Sequence, residues 1–143
     1  MMNVEASTII NRPVADVFAF FTEPANNPKW EEGLIECRLD SPAPMRLGAQ
    51  IVEVRKFLGQ RMESKLEVTA FEPNEKYAVK VVSGPMRFEM SAIFEAVGDG
   101  TKVSTSGQGE PGGLFKLAEG LVKKQLQSQI EGDMRRLKKV LEG

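Results

Sequence analysis

Hydrophobic and polar residues alternate along much of the chain between residues 34 and 108, and turn signals interrupt them every eight to fourteen residues. The alternation is clearest in residues 86–96, where apolar side chains occupy every second position. A period of two residues is typical of a strand that buries one face and exposes the other. Gly98-Asp99-Gly100 is a hairpin signal between two such segments. We therefore predict six consecutive antiparallel strands in this region.

Three of these strands are predicted to turn one face toward the interior. Residues 50–58 are ambiguous, because both of their faces carry apolar side chains. Glu53 and Arg55 share one face of this strand and Val54 lies on the other. The sequence does not decide which of the two faces points toward the interior. The predicted inward residues of the three clearer strands are Met62, Ser64, Leu66, Val68 and Ala70; Tyr77, Val79, Val81 and Ser83; and Met86, Phe88, Met90, Ala92, Phe94 and Ala96.

The N-terminal residues predict one more strand and two short helices. Residues 3–11 are rich in β-branched residues and predict a first strand that ends at Arg12-Pro13. Apolar residues then recur at helical spacing in residues 14–22, which predicts a short helix after the proline. Residues 23–33 hold two prolines and two asparagines around Trp30, and they predict a brief second helix followed by a turn.

The last part of the chain predicts one long helix over residues 114–141, after a glycine-rich loop at residues 107–113. An apolar helix stripe must be buried, and the inner face of the predicted sheet is the dry surface available to it. The predicted stripe consists of Leu114, Leu117, Leu121, Ile130, Met134, Leu137 and Leu141.

Composition narrows the function classes. The length of 143 residues, with 41% hydrophobic residues, suits a single folded domain, which we place at residues 1–143. The chain has no histidine and one cysteine, Cys37, which excludes Ser-His-Asp, Cys-His and His-zinc chemistry and an internal disulfide. We therefore expect no metal and no cofactor. The net charge of −1 argues against nucleic acid as a partner. We expect a cytoplasmic location without membrane contact, and leave a homodimer open.

Several local motifs accompany the predicted order of one strand, two short helices, six strands and a long helix. The motifs are Ile10-Asn11-Arg12-Pro13, Val17-Phe18, Phe21, PANNPKW at 24–30, GDGT at 98–101, GEPGG at 109–113 and LKKVLE at 137–142. In this order of elements and in these motifs, the chain resembles the SRPBCC (START-like) superfamily, and within it the polyketide cyclase/dehydrase group. This resemblance implies the helix-grip fold, an α+β fold in which a seven-stranded antiparallel sheet curves around the C-terminal helix, with an apolar cavity between them.

We expect the cavity either to hold a ligand or to be filled by the large inward side chains. Our first hypothesis is binding of a small hydrophobic molecule, for which the resemblance supplies lipids, isoprenoids and polyketide-like aromatics as classes. The predicted ligand-binding residues are Val54, Ser64, Leu66, Val68, Tyr77, Val79, Val81, Phe88, Met90, Phe94, Leu117 and Leu121.

Two alternatives stay open, because this superfamily carries several activities on one scaffold. A cyclase or dehydratase would need a proton-handling group inside the cavity, for which Glu53, Arg55 and Tyr77 are the candidates. An interaction module would have a vestigial cavity. An ionisable side chain in the cavity would favour the enzyme, an apolar lining with hydroxyl groups the binding protein, and a filled interior the interaction module.

Two further residues have predicted structural roles. We expect Trp30 to close the hydrophobic base around the short helices, and Cys37 to be a structural residue.

The segment 107–113 lacks a phosphate-binding pattern and predicts a connection or a gate to the cavity. The surplus of lysine and arginine after residue 113 predicts a solvated outer helix face.

Overall fold

A computed structural model describes the backbone of residues 1–143 and every side chain except that of Leu114. The seven strands form one antiparallel sheet in the order β1-β7-β6-β5-β4-β3-β2. The predicted α+β helix-grip fold, with two short helices between the first two strands, is confirmed. The elements are β1 (Met2–Ile10), α1 (Val14–Phe21), a 3-10 helix (Pro24–Lys29), β2 (Leu34–Leu39), β3 (Gln50–Phe57), β4 (Gln60–Glu72), β5 (Lys76–Ser83), β6 (Arg87–Val97), β7 (Gly100–Glu110), a second 3-10 helix (Gly113–Ala118) and α2 (Glu119–Glu142).

Helix α1 covers one end of the sheet with aromatic side chains. It follows Pro13, whose fixed φ suits the start of a helix, and it buries Val17, Phe18 and Phe21. The Phe18 and Phe21 rings meet Phe94 of β6 edge to face, at centroid distances of 5.0 and 5.2 Å. Each such contact adds to the free energy already gained by burying the rings. This end of the interior is therefore closed by packed rings.

Helix α2 begins later than predicted and turns a different set of residues inward. Leu117 lies in the second 3-10 helix and is 93% exposed, and Leu121 is 58% exposed. Leu121 precedes Ile130 by nine residues, about two and a half helical turns, so the two side chains lie on opposite faces of α2. The predicted stripe was wrong at both leucines, and the Leu114 side chain lies outside the described residues. The buried face of α2 comprises Val122, Gln129, Gly132, Asp133, Met134, Leu137 and Leu141.

Two irregularities in the pairing of β4 with β5 change which side chains face inward. The register shifts between Val68 and Ala70, so that Phe71 lies opposite Tyr77 and packs against the core. A second shift places Ser83 opposite Lys65 on the outer face. A bulge inserts one residue and reverses the alternation beyond it, so the predictions that Ala70 and Ser83 point inward were wrong.

The glycine-rich segment before the last helix is mostly strand. Strand β7 continues to Glu110, and Gly107 pairs with Val4 of β1, whereas the sequence predicted a loop from residue 107. A side chain at Gly107 would approach the Phe88 ring to 2.5 Å. The glycine therefore lets this ring lie directly against β7.

Candidate functional site

The candidate site is a cavity of about 140 Å³ between the inner face of the sheet and α2. Its volume is close to that of an engineered cavity of about 150 Å³ that binds benzene, and below the roughly 300 Å³ of the smallest pockets for drug-sized ligands. Met62, Met86 and Met90 line it, and these flexible side chains can adapt to guests of different shape. In this conformation the cavity accommodates a molecule about the size of one aromatic ring.

Most of the predicted site residues come together around this cavity. Val54 does not, because it lies on the opposite face of β3 from Glu53 and Arg55. Val68 and Phe94 are buried in the core beside α1, outside the lining. The exposed Leu117 and Leu121 do not line the cavity either. The predicted residues that do line it are Glu53, Arg55, Ser64, Leu66, Tyr77, Val79, Val81, Phe88 and Met90.

Three side chains of α2 fix the backbone that follows the first 3-10 helix. Gln129 Nε2 donates to the Glu32 carbonyl oxygen at 3.2 Å, and Asp133 Oδ1 accepts from the Glu32 amide at 2.9 Å. Arg136 Nε donates to the Trp30 carbonyl oxygen at 3.0 Å, and its guanidinium also pairs with Asp133. The residue between the two anchored positions is thereby held toward the cavity.

That residue, Glu31, forms a buried charged group with two side chains of β3. Arg55 donates from Nη2 to Glu31 Oε1 at 3.0 Å and from Nε to Glu53 Oε1 at 3.1 Å. The three side chains are only 11%, 15% and 17% exposed for Glu31, Arg55 and Glu53 respectively. One guanidinium therefore pairs with two carboxylates at the edge of an apolar cavity. The sequence did not decide which face of β3 points inward, and the structure shows that the face with Glu53 and Arg55 lines the cavity.

The electrostatic consequence is a carboxyl group that titrates near neutrality. Burial raises the pKa of Glu31 to about 7 because Arg55 offsets the lost hydration only in part, and the nearby carboxylates of Glu53 and Asp133 raise it further. Burial alone would lower the pKa of Arg55, but Glu53 and Glu31 raise it above its ordinary value. Arg55 therefore stays charged, while Glu31 exchanges its proton in the physiological range.

Three other side chains of the cavity, those of Tyr77, Cys37 and Ser64, are neutral. Burial raises the pKa of Tyr77 and of the Cys37 thiol, so both keep their protons. Ser64 contributes a hydroxyl group to the lining as well. These neutral groups can position a ligand but hold no charge.

Sequence reasoning missed the part of the lining that comes from the first 3-10 helix and the turn after it. Asn27, Trp30 and Glu31 all line the cavity, whereas only Trp30 was singled out, as a residue of the hydrophobic base. Trp30 does pack on Phe21, with ring centroids 4.9 Å apart. Its Nε1 and Asn27 Oδ1 are buried without a hydrogen-bond partner among the described residues. Leaving a buried polar group without a hydrogen bond destabilises a fold by about 1–3 kcal/mol. Two such groups at one end of the cavity mark that end as a place where a ligand could supply the missing hydrogen bonds.

Comparison with known proteins places the chain in a family. A family model described as polyketide cyclase/dehydrase and lipid transport matches residues 1–142. The chain belongs to this family. The resemblance that the local motifs indicated is thereby confirmed. A comparison with curated proteins gives no significant match.

Several solved structures share the fold of this family member at low sequence identity. A protein from Thermus thermophilus has a TM-score of 0.84 at 18% identity, over 97% of this chain and 96% of its own. A START superfamily protein from Mycobacterium smegmatis has a TM-score of 0.72 at 16% identity, over 96% and 99%. BexL, a di-domain ARO/CYC protein of the BE-7585A biosynthetic pathway, has a TM-score of 0.76 at 14% identity, over 97% of this chain and 46% of BexL.

The cavity of this family member combines two kinds of chemistry. Its apolar wall can hold a hydrophobic molecule by burial, and its charged end can hold or move a proton near neutral pH. Within the described part of the chain, no cluster of three or more acidic or thiol side chains is arranged to hold a metal ion. Nor does any described helix have the length and hydropathy needed to cross a membrane.

Proposed function

We propose that this protein binds a small hydrophobic molecule in the cavity between the sheet and α2. The observation that carries the proposal is the unfilled space of about 140 Å³ inside an otherwise packed core. Apolar side chains of β1, β3, β4, β5 and β6 face it. Transfer of a hydrophobic guest from water to such a wall is favourable by about 25 cal/mol for each Å² buried. The family description, which includes lipid transport, supports this function.

The ligand classes we favour are an aromatic of the polyketide type, an isoprenoid or a lipid segment. A single ring fits the present volume, and the methionines around the cavity supply the adaptability that a longer ligand would need. Leu66, Val79 and Val81 would contact the apolar body of such a ligand, with Phe88 and Met90 closing over it. Val68, Phe94 and the exposed leucines have no part in this proposal.

The test is mass spectrometry of the purified protein under native conditions, followed by thermal shifts with aromatic and lipid compounds. We expect a discrete added mass or a saturable rise in Tm. The variant Val81→Phe, which places a ring in the cavity, should lose both effects, whereas the control Leu117→Phe on the exposed surface should keep them. A folded wild-type protein that carries no added mass and responds to none of the compounds would refute the proposal.

A specific observation also favours a second function, catalysis of the cyclase or dehydratase type. Glu31 lies in the cavity with a pKa of about 7, which suits a general acid or base. Arg55 and Glu53 would hold it in place, and the neutral Tyr77 hydroxyl could donate to a substrate carbonyl. Turnover of a poly-β-carbonyl substrate that Glu31→Gln abolishes while leaving substrate binding intact would support this function. Equal turnover in the variant would refute the role of Glu31.

We also propose where the protein acts and which partners it has. Composition and charge support a cytoplasmic location and argue against nucleic acid as a partner, and a homodimer stays open. The interaction module is the least supported function, because it predicts a filled interior and the core contains a cavity.

A further inference from the structure

The charged end of the cavity holds more negative than positive charge. Glu31 and Glu53 share the single guanidinium of Arg55, and Asp133, whose charge also reaches Glu31, has its own partner in Arg136. When both glutamates are ionised, one negative charge remains without a counter-charge in a poorly hydrated space. A ligand carboxylate placed there would add a second negative charge without a counter-charge, and like charges brought together out of water repel strongly.

The same end offers neutral hydrogen-bonding atoms that the protein leaves unused. Trp30 Nε1 can only donate, Asn27 Oδ1 can only accept, and neither has a partner among the described residues. Both residues line the cavity, as does Ser64, which pairs across the sheet with Glu53. A ligand hydroxyl group can accept from the Trp30 indole or donate to the Asn27 side-chain oxygen, whereas a carboxylate can only accept.

We propose that the cavity selects ligands that carry a neutral hydroxyl group, an alcohol or a phenol, and rejects the matching carboxylates, with the Glu31–Arg55–Glu53 group as the selecting element. This inference rests on the proposed binding function and adds the polar chemistry of the ligand to it. The hydroxyl lies at the end near Trp30 and Asn27, and the apolar body of the ligand lies along the strands. The charge of Glu31 sets the strength of the discrimination.

The selection depends on pH in a defined direction. The groups that face Glu31 are Arg55, Glu53 and Asp133, of which the first stays charged, while Tyr77 and Cys37 stay neutral. Above its pKa of about 7 Glu31 carries the unpaired charge, and below that value it is neutral. Rejection of a carboxylate should therefore be stronger at alkaline pH and weaker at mildly acidic pH.

Three compounds with the same apolar body test the inference: 4-propylphenol, 4-propylbenzoate and propylbenzene, titrated into the full chain by calorimetry. At about pH 8 we expect the phenol to bind at least about tenfold more tightly than the benzoate. At about pH 6 the benzoate keeps its charge while Glu31 is largely protonated, so the ratio should shrink severalfold. A benzoate that binds as tightly as the phenol at the higher pH would overturn the inference.

Two variants assign the effect to the named residues. Glu31→Gln should narrow the phenol-to-benzoate ratio at the higher pH and remove its pH dependence, while Glu63→Gln on the outer face should change neither. Trp30→Phe keeps a ring but loses the donor, and should weaken the phenol severalfold without weakening propylbenzene. Unchanged ratios in both cavity variants would contradict the inference. Binding of propylbenzene without discrimination would leave the binding function standing, and failure of all three compounds would contradict both.

Discussion

The inner face of the sheet is packed at one end and open at the other, although the same strands run through both. Under α1, Phe18 meets Phe94 at 5.0 Å and Phe71 at 5.4 Å, and the rings leave no space between them for a ligand. Under α2, Leu126 and Ile130 face a cavity of about 140 Å³. The helix above the sheet therefore decides whether the space below it is filled.

The difference lies in what each helix supplies. α1 contributes phenylalanine rings to the interior, whereas α2 turns medium-sized aliphatic side chains and the polar Gln129 and Asp133 toward the cavity. Packed rings give stability, because their removal leaves a void that the surroundings cannot close. An open region with a charged end gives a place for a guest. The two regions should respond differently to the same kind of substitution.

The largest effect is expected from a matched pair of truncations on β6. Phe94→Ala, in the packed region, should lower the free energy of unfolding by about 3–5 kcal/mol. Met90→Ala, four residues earlier on the same face, should lower it by no more than about 2 kcal/mol, the low end for such truncations, because its side chain already borders empty space. Urea denaturation measures both. Equal losses would show that the two regions do not differ in packing.

The second-largest effect is expected from removing the buried guanidinium of Arg55. Arg55→Met leaves Glu31 and Glu53 without their counter-charge, and at about pH 8 it should destabilise the protein by about 3 kcal/mol. At about pH 5 the loss should be smaller, because Glu31 is then protonated in the folded protein. Chemical denaturation at the two pH values tests this. A loss that is the same at both would contradict the shared-guanidinium account.

The wild-type protein should become less stable as the pH rises. The folded pKa of Glu31 is about 7, above its ordinary value of 4.5, so between these values the folded chain binds more protons than the unfolded chain. The free energy of unfolding should therefore fall by about 2 kcal/mol from pH 5 to pH 8. Burial raises the pKa of Asp133 as well, so its effect on stability has the same sign, at pH values between its ordinary and its raised pKa. Glu31→Gln should remove most of the slope, and a variant that retains it would disprove the assignment.

The smallest effect is expected at the exposed start of the last helix. Leu117→Ser should change the free energy of unfolding by no more than about 0.5 kcal/mol, because the side chain is 93% exposed. It should also leave the affinity for propylbenzene unchanged. A marked loss of stability or of affinity would show that Leu117 lines the cavity, as the sequence predicted, and would contradict its exposed position.

The sequence predicts the elements well because periodicity of two or of about 3.6 residues is a local property. The prediction fails at Ala70 because a bulge in β4 reverses the alternation. It fails at Leu121 because this residue lies on the opposite face of α2 from Ile130. Glu31 could not be found in this way, since its segment has no periodicity. Its burial depends on α2, through the bond between Glu32 and Asp133, 101 residues apart along the chain. Only tertiary structure brings that helix to the turn.

Calorimetric titration of the purified protein with 4-propylphenol tests most directly whether the open region is a binding site. We expect saturable binding of one molecule per chain with a negative heat-capacity change, since apolar surface is buried. Val81→Phe should abolish the binding and Leu117→Phe should preserve it. The absence of saturable heat in the folded wild-type protein, up to the solubility limit of the compound, would contradict the account.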